Sequence, residues 1–257
     1  MYSCPKEMGM WERDVVPMTL NHPYICPTLD THARQNSYCV VMPLYNCNLA
    51  KLIYRVSERT NLNPGKKLDP VLAWKIFHQL VESINYLHGR GFAHRDVKPE
   101  NVLIDDNNNA VLSDFLFAKR FTSLSSTPFR TLATPAYHAP EIVEAMDVLE
   151  DQPNVEYGPA VDYFSLGVIF YEMMVGRLPY DLEGKRTLSP ERTETISKID
   201  PLARCFIEGL MSKDQDARIK MFKQIVDEMR NSTDDGGFKS CFCFRRNVQN
   251  RTVNRNC

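Results

Sequence analysis

The sequence predicts an α+β fold in which the β-forming segments come early and most of the helical mass comes late. Three observations carry that expectation. The β-type runs 37–44, 102–104 and 110–112 all precede residue 115. Three of the four strongest helical segments, 162–176, 201–212 and 218–230, follow it. The chain has 257 residues, 43% of them hydrophobic and 25% charged, which is enough to bury a sizeable core. Those values exclude a wholly disordered, collagen-like or membrane-embedded chain.

Each element has a local cause. Residues 1–35 are interrupted by Pro5, Pro17, Pro23 and Pro27. Residues 37–44 (SYCVVMPL) are β-branched and apolar until Pro43 stops the ladder. A short helix is expected over 49–56, and a loop over 61–67 around Pro64-Gly65. The 70–88 helix opens on Asp69, a good N-cap, with Pro70 at the first helical position. Phe77, Leu80, Val81, Ile84 and Leu87 recur at helical spacing, and Gly89 and Gly91 end it. The runs 102–104 and 110–112 flank Asp105-Asp106-Asn107-Asn108-Asn109, a turn-rich connection that reads as a hairpin. Residues 122–134 are rich in Ser and Thr without periodicity, the mark of a loop. Segment 162–176 is apolar on nearly every face and reads as a buried helix. No repeat of fixed period is visible.

Charge and cysteine usage narrow the function classes. Lys plus Arg number 31 and Asp plus Glu 32, a net charge of −1 that argues against a nucleic-acid binder working by bulk charge. Residues 231–257 carry a basic surplus (Lys239, Arg245, Arg246, Arg251 and Arg255 against Asp234 and Asp235) and read as a disordered polar tail. The 8 cysteines show no C-x-x-C pair before the tail and no histidines at zinc-site spacing, so they read as thiols in a reducing compartment. Charges at Lys6, Glu7, Glu12, Arg13 and Asp14 leave no signal-peptide core. The most apolar stretch, 166–175, contains Glu172 and is far short of a membrane span. The expectation is a cytoplasmic or nuclear protein without a transmembrane segment.

The chemistry concentrates in one ordered constellation. His94-Arg95-Asp96-Val97-Lys98-Pro99-Glu100-Asn101 is followed, across the hairpin, by Asp114-Phe115 and then by Ala139-Pro140-Glu141. This order resembles the catalytic loop, metal-binding turn and activation-segment end of the protein kinases. The resemblance covers residues 20–225 or so. Small-molecule kinases also pair a catalytic Asp with an Asn, but they lack the Ala-Pro-Glu element.

The resemblance implies a kinase-like fold that transfers the γ-phosphate of ATP to Ser or Thr hydroxyls of proteins, with Mg²⁺. It implies that Asp96 orients the hydroxyl proton, that Lys98 touches the transferred group, and that Asn101 and Asp114 hold the metal. Hard oxygen ligands suit Mg²⁺. Lys98, two residues after Asp96, and Thr134 in Thr134-Pro135-Ala136-Tyr137 mark the Ser/Thr class. Met42 corresponds to the back of the adenine pocket, Pro43-Leu44-Tyr45 to the hinge, and Leu103 to the pocket floor. Asp162 corresponds to the brace of the catalytic-loop backbone, and Glu141 and Arg218 to a buried ion pair. Arg95 and Lys119 are implied to hold a phosphate added to the loop, with Thr127 and Thr131 as acceptors. Glu172 and Glu208 are candidates for shaping a preference for basic peptides.

The front of the pattern departs from the family. The only G-x-G is Gly89-Arg90-Gly91, which closes a helix, and the only lysine before residue 51 is Lys6. Leu20 to Ile25 resembles the end of the family's regulatory helix, for which Glu12 is the expected glutamate and Pro17 an expected break. Leu116 stands where the family has the glycine of its metal-binding turn. The expected organisation is therefore a small-lobe remnant and hinge over 1–45, a helical large lobe over 46–230 and the tail over 231–257. Two further readings accompany the kinase: a pseudokinase or scaffold binding partner proteins, and a truncated product of a longer active kinase.

Overall fold

The computed structural model describes residues 19–34, 37–58, 67–121, 135–147, 158–180 and 195–232. Strands β1 (Asp30–Arg34) and β2 (Ser37–Val41) pair antiparallel, with Asp30 opposite Val41 and Arg34 opposite Ser37. The strand stops at Val41, ahead of the expected 37–44 boundary, because Pro43 has no N–H to offer a ladder. Strand β3 (Cys47–Asn48) runs straight into helix α1 (Leu49–Glu58), and helix α2 (Pro70–Gly89) follows. The Asp69 carboxylate caps α2, accepting from the backbone N–H of Val71 at 2.9 Å and Leu72 at 3.2 Å.

The hairpin forms where the sequence places it: β5 (Val102–Ile104) and β6 (Ala110–Leu112) pair antiparallel, and β3 adds on the other side of β5. An earlier strand, β4 (Phe92–Ala93), pairs with β7 (Lys119–Arg120). Asp105 builds the turn by accepting from the N–H groups of Asn107 at 2.8 Å and Asn109 at 2.7 Å, while Asn108 takes the left-handed φ of 57°. Gln79 of α2 then clamps the hairpin. Its Oε1 accepts from Ala110 N–H at 2.7 Å and its Nε2 donates to Asn109 at 3.0 Å. This buried glutamine fixes the point where the turn ends and β6 begins.

Four more helices complete the described chain: α3 (Pro140–Asp147), α4 (Ala160–Val175), α5 (Pro201–Leu210) and α6 (Gln215–Ser232). Helix α4 is buried along its whole length except for partly buried Glu172, as its largely apolar sequence requires. Phe170 of α4 stacks on Phe77 of α2 with ring centroids 4.0 Å apart, and Trp74 meets Phe170 edge-on at 4.9 Å. Burying aromatic side chains of this size stabilises by about 1.5–3 kcal/mol each, so this cluster anchors α4 to α2. Helix α6 begins at Gln215, three residues before the expected 218, because the Asp214 carboxylate accepts from Asp216 N–H at 2.9 Å and starts the first turn. It runs through Ser232, so its last two residues overlap the start of the expected tail. The Ser/Thr-rich segment 122–134, with Thr127, Thr131 and Thr134, lies outside the described residues, as do Glu12 and Pro17. Among the described residues no helix is long and apolar enough to cross a membrane.

Candidate active site

Two short turns meet at the mouth of the hairpin. The first runs from β4 through residues 94–98 into the helical turn Pro99–Asn101 and then β5. The second leaves β6 at Ser113 and turns through Phe115–Phe117 into β7. Ser113 ties them together: its N–H and its hydroxyl both donate to the Asn101 carbonyl, at 2.9 and 2.8 Å. Buried His94 adds a second tie, with Nε2 3.0 Å from the Ser113 carbonyl. Because a carbonyl only accepts, Nε2 carries the proton, which leaves Nδ1 to accept from Asp96 N–H at 3.3 Å. Asp114 follows Ser113 directly, so Asp96, Asn101 and Asp114 are drawn toward one place by backbone bonds.

The side chains of the first turn form a charged knot. Lys98 Nζ lies 3.0 Å from Asp96 Oδ1 and 2.9 Å from Oδ2. Asn101 Nδ2 donates to the Asp96 carbonyl and to Oδ2, both at 2.9 Å. Asp96 and Asn101 are buried, and Lys98 is largely covered. With both amide hydrogens spent on Asp96, the Asn101 amide oxygen accepts no hydrogen bond from a described residue. Asp114 accepts only a long contact from Leu116 N–H at 3.4 Å.

These two oxygen donors fit a hard cation. No group of three or more His, Cys, Asp or Glu side chains among the described residues could hold a metal alone. One Asn and one Asp oxygen are the kind and number of ligands that Mg²⁺ takes from a protein, its other ligands being water and substrate phosphates.

Backbone strain marks the same two turns. Arg95 and Asp114 adopt left-handed φ angles of 68° and 61°, which cost a non-glycine residue about 1–3 kcal/mol. Arg95 is held there from two sides: Asp162 Oδ1 accepts its N–H at 2.8 Å, and its Nε donates to the Phe117 carbonyl at 2.6 Å. Leu116 takes part in a 3₁₀ turn in which Ala118 N–H bonds back to Phe115 at 3.0 Å, a conformation leucine accepts without penalty. Phe115 is buried with its ring 5.0 Å from His94.

Asp162, fully buried near the start of α4, supports the loop from below. Its Oδ2 accepts from His94 N–H at 2.8 Å and lies 2.8 Å from His88 Nε2. Burial alone pushes this carboxyl up, but the hydrogen bond from the His88 ring, together with that from the His94 backbone N–H, outweighs it and holds Asp162 below the usual carboxylate range. The stabilisation from its charged form is therefore present above that range and is lost as the pH falls through the lowered value. Arg218, fully buried in α6, ion-pairs with Glu141 at the start of α3. It also donates to the carbonyls of Ala160 at 3.0 Å and Ser212 at 2.7 Å.

The remaining residues singled out from the sequence are spread around this centre. Lys119 is buried in β7, opposite Ala93 of β4 and so two residues from Arg95 in the partner strand's continuation. Leu103 is partly buried in β5, Met42 is 39% exposed, and the Leu44 side chain is fully exposed. Glu172 accepts from the Tyr137 hydroxyl at 2.7 Å, whereas Glu208 is exposed on α5. Burial pushes the Glu172 carboxyl up, the Tyr137 hydroxyl pulls it partly back, and the negative charge of Glu100 adds to the rise. Sequence reasoning missed His88, Tyr163 and Gln79. The only local signal was a polar side chain on an otherwise apolar helix face.

The chain matches the protein kinase domain family over residues 7–229. It is 32% identical over 208 residues to the hormonally up-regulated neu tumor-associated kinase homolog of Xenopus tropicalis, covering 77% of this chain and 27% of that protein. It is 37% identical over 168 residues to the "Probable serine/threonine-protein kinase CHK1 homolog" of Encephalitozoon cuniculi, covering 63% of this chain and 36% of that one. Against human ribosomal protein S6 kinase alpha-4 the figures are 33% over 162 residues, 60% and 20%. The chain belongs to the protein kinase family, and its relatives are Ser/Thr protein kinases. It spans about a fifth to just over a third of the length of these relatives.

Proposed function

We propose that this chain is a Ser/Thr protein kinase whose phosphoryl transfer is carried by the Asp96–Asn101 turn. The single observation that supports the reading most is the knot at Asp96. Its carboxylate is fixed by Lys98 and Asn101, and the Asn101 amide oxygen is left as a donor atom for a cation. In this reading Asp96 orients and accepts the proton of the attacking hydroxyl, and Lys98 neutralises charge on the transferred group. Asn101 and Asp114 would hold Mg²⁺, which supplies charge neutralisation on the ATP phosphates. The hinge carbonyl of Pro43 and the backbone of Tyr45 would bind adenine, with Leu103 beneath it. Arg95 and Lys119 would bind a phosphate on the 122–134 segment. A large lobe over 46–230 and a cytoplasmic or nuclear setting belong to the same reading.

The second reading, a scaffold that binds partner proteins without catalysis, is favoured by Leu116 in the metal-binding turn and by the exposure of Met42 and Leu44. One pair of measurements separates the two. Phosphoryl transfer from Mg²⁺-ATP to a Ser/Thr peptide should be present in the wild type and abolished in Asp96→Ala at unchanged fold. Equal signal from both proteins, or no Mg²⁺-ATP thermal stabilisation of the wild type, overturns the kinase reading in favour of the scaffold.

A further inference from the structure

We propose that Tyr163 is a positioning residue for the Asp96 turn, acting through His88 and Asp162. The Tyr163 hydroxyl lies 2.9 Å from His88 Nδ1, and His88 Nε2 lies 2.8 Å from Asp162 Oδ2. Asp162 then grips both peptide N–H groups that lead into Asp96, those of His94 and Arg95, each at 2.8 Å. The chain of bonds thus runs from a phenol on α4, through an imidazole on α2, to the backbone beside the candidate catalytic carboxylate.

The proposal assigns one order of protons along it. An ionised carboxylate only accepts, so His88 Nε2 carries the hydrogen. The neutral ring then offers Nδ1 as an acceptor, and the Tyr163 hydroxyl fills it. Burial pushes the Tyr163 phenol well above its ordinary value, so it remains a donor throughout the neutral range. Packing holds the hydroxyl in place. The Tyr163 ring stacks on Phe222 of α6 with centroids 4.0 Å apart and planes 13° apart. The His88 ring is walled by Phe121, edge-on at 5.6 Å. With its side chain 8% exposed, His88 has little water to replace a lost phenol.

Removing the hydroxyl leaves Nδ1 as a buried acceptor without a partner. The ring can relieve that only by protonating Nδ1 or by turning, and both disturb the Nε2 bond to Asp162. His94 feels the disturbance first, because its N–H shares Asp162 Oδ2 with His88, and Arg95 follows, its left-handed backbone being held by Oδ1 of the same carboxylate. Tyr163 touches no reacting atom, so its effect belongs to the geometry of the turn. The proposal rests on the kinase reading only for the consequence at Asp96; the bond chain stands apart from it.

The test uses the full chain with ¹⁵N-labelled histidine, in wild type and Tyr163→Phe. In the wild type at neutral pH, His88 should be neutral with its proton on Nε2. In Tyr163→Phe that single tautomer should be lost. Amide exchange at His94 and Arg95 should then rise about tenfold, the loss of one buried hydrogen bond, with exchange in α5 unchanged. Peptide phosphorylation should fall in kcat with KM for ATP unchanged. A wild-type ring carrying a proton on Nδ1 overturns the proposal without any variant. So does Tyr163→Phe with wild-type tautomer and exchange, or with exchange raised equally in α5. If the wild type transfers no phosphate but the tautomer and exchange results hold, the kinase reading falls and the positioning chain survives.

Discussion

Asn101 holds Asp96 twice, donating from one amide nitrogen to its carbonyl and its carboxylate at 2.9 Å each. The two bonds close a loop of six residues and fix the carboxylate against its own backbone. It also orients the amide so that its oxygen faces away from Asp96. One side chain thus sets the position of the candidate base and offers the cation a ligand.

Replacing Asn101 with Ala should therefore act on stability as well as on metal binding. Asp96 would lose a donor to a buried charged group, worth about 1.5–3 kcal/mol. A chain of this length should lose several degrees of melting temperature, on the order of 2–4 °C per kcal/mol. Any Mg²⁺-dependent part of an ATP thermal shift should vanish. Unchanged Mg²⁺ dependence in Asn101→Ala would remove Asn101 from the metal site.

The Glu141–Arg218 pair joins α3 to α6 and brings Arg218 against the carbonyl of Ala160, where α4 begins. Breaking a buried pair from one side leaves an uncompensated charge, at a cost of about 3–5 kcal/mol. Arg218→Met should reach that range in urea unfolding. Glu141→Gln should cost less, because the amide oxygen still accepts from the guanidinium and the carbonyls of Ala160 and Ser212 still serve Arg218. If Arg218→Met proved no worse than Glu141→Gln, the pair would not be the tie that holds these helices.

The parts of this site that the sequence revealed are those in which neighbours in the chain are neighbours in space. The Asp96–Lys98–Asn101 knot spans six positions, and the Asp105–Asn109 turn is built from its own Asx side chains. The hairpin strands and the capped start of α2 were legible for the same reason. Asp162, Glu141 and Arg218 were named only through the family resemblance, since nothing local tells a buried acid from an exposed one. The supports that went unseen join distant positions: Tyr163 and His88 are 75 residues apart, Gln79 and Ala110 31. Periodicity marks which face of a helix is buried, but not which buried polar atom meets which. The start of α6 was missed because Asp214 acts as a cap one residue before a polar first turn, where no apolar repeat announces a helix.

Glu172 supplies a prediction about pH. Its folded value lies above its unfolded one, because burial and the negative charge of Glu100 raise it more than the Tyr137 hydroxyl lowers it. A group raised in this way favours the fold at low pH, and that contribution is lost as pH rises through the folded value. Glu172→Gln keeps an oxygen for Tyr137 and carries no charge. It should melt above the wild type at neutral pH, with the advantage fading as pH is lowered toward about 4. Thermal unfolding across that range checks it. A glutamine variant whose deficit grows as the pH rises would contradict the raised value.

The last prediction concerns two glycines at the α4–α5–α6 junction. A Cβ on Gly167 of α4 would stand 2.9 Å from Leu210 Cβ, 2.9 Å from Met211 Cγ and 3.3 Å from the Leu210 carbonyl carbon. Two of these atoms are backbone or next to it, so relief requires α4 and α5 to move apart. A Cβ on Gly209 of α5 would crowd Met221 Cε and stand 2.7 Å from its Cγ and 3.1 Å from its Cβ; the Cε end can swing away, but Cγ and Cβ sit close to the α6 backbone and yield only if α6 shifts. Alanine gains about 1 kcal/mol over glycine in helix propensity at either site. Overpacking costs about 1–3 kcal/mol where the neighbours cannot yield. Gly167→Ala and Gly209→Ala should therefore both be net destabilising. Urea unfolding of the two variants decides the matter, and a Gly167→Ala protein as stable as the wild type would show that α4 and α5 are not in rigid contact there.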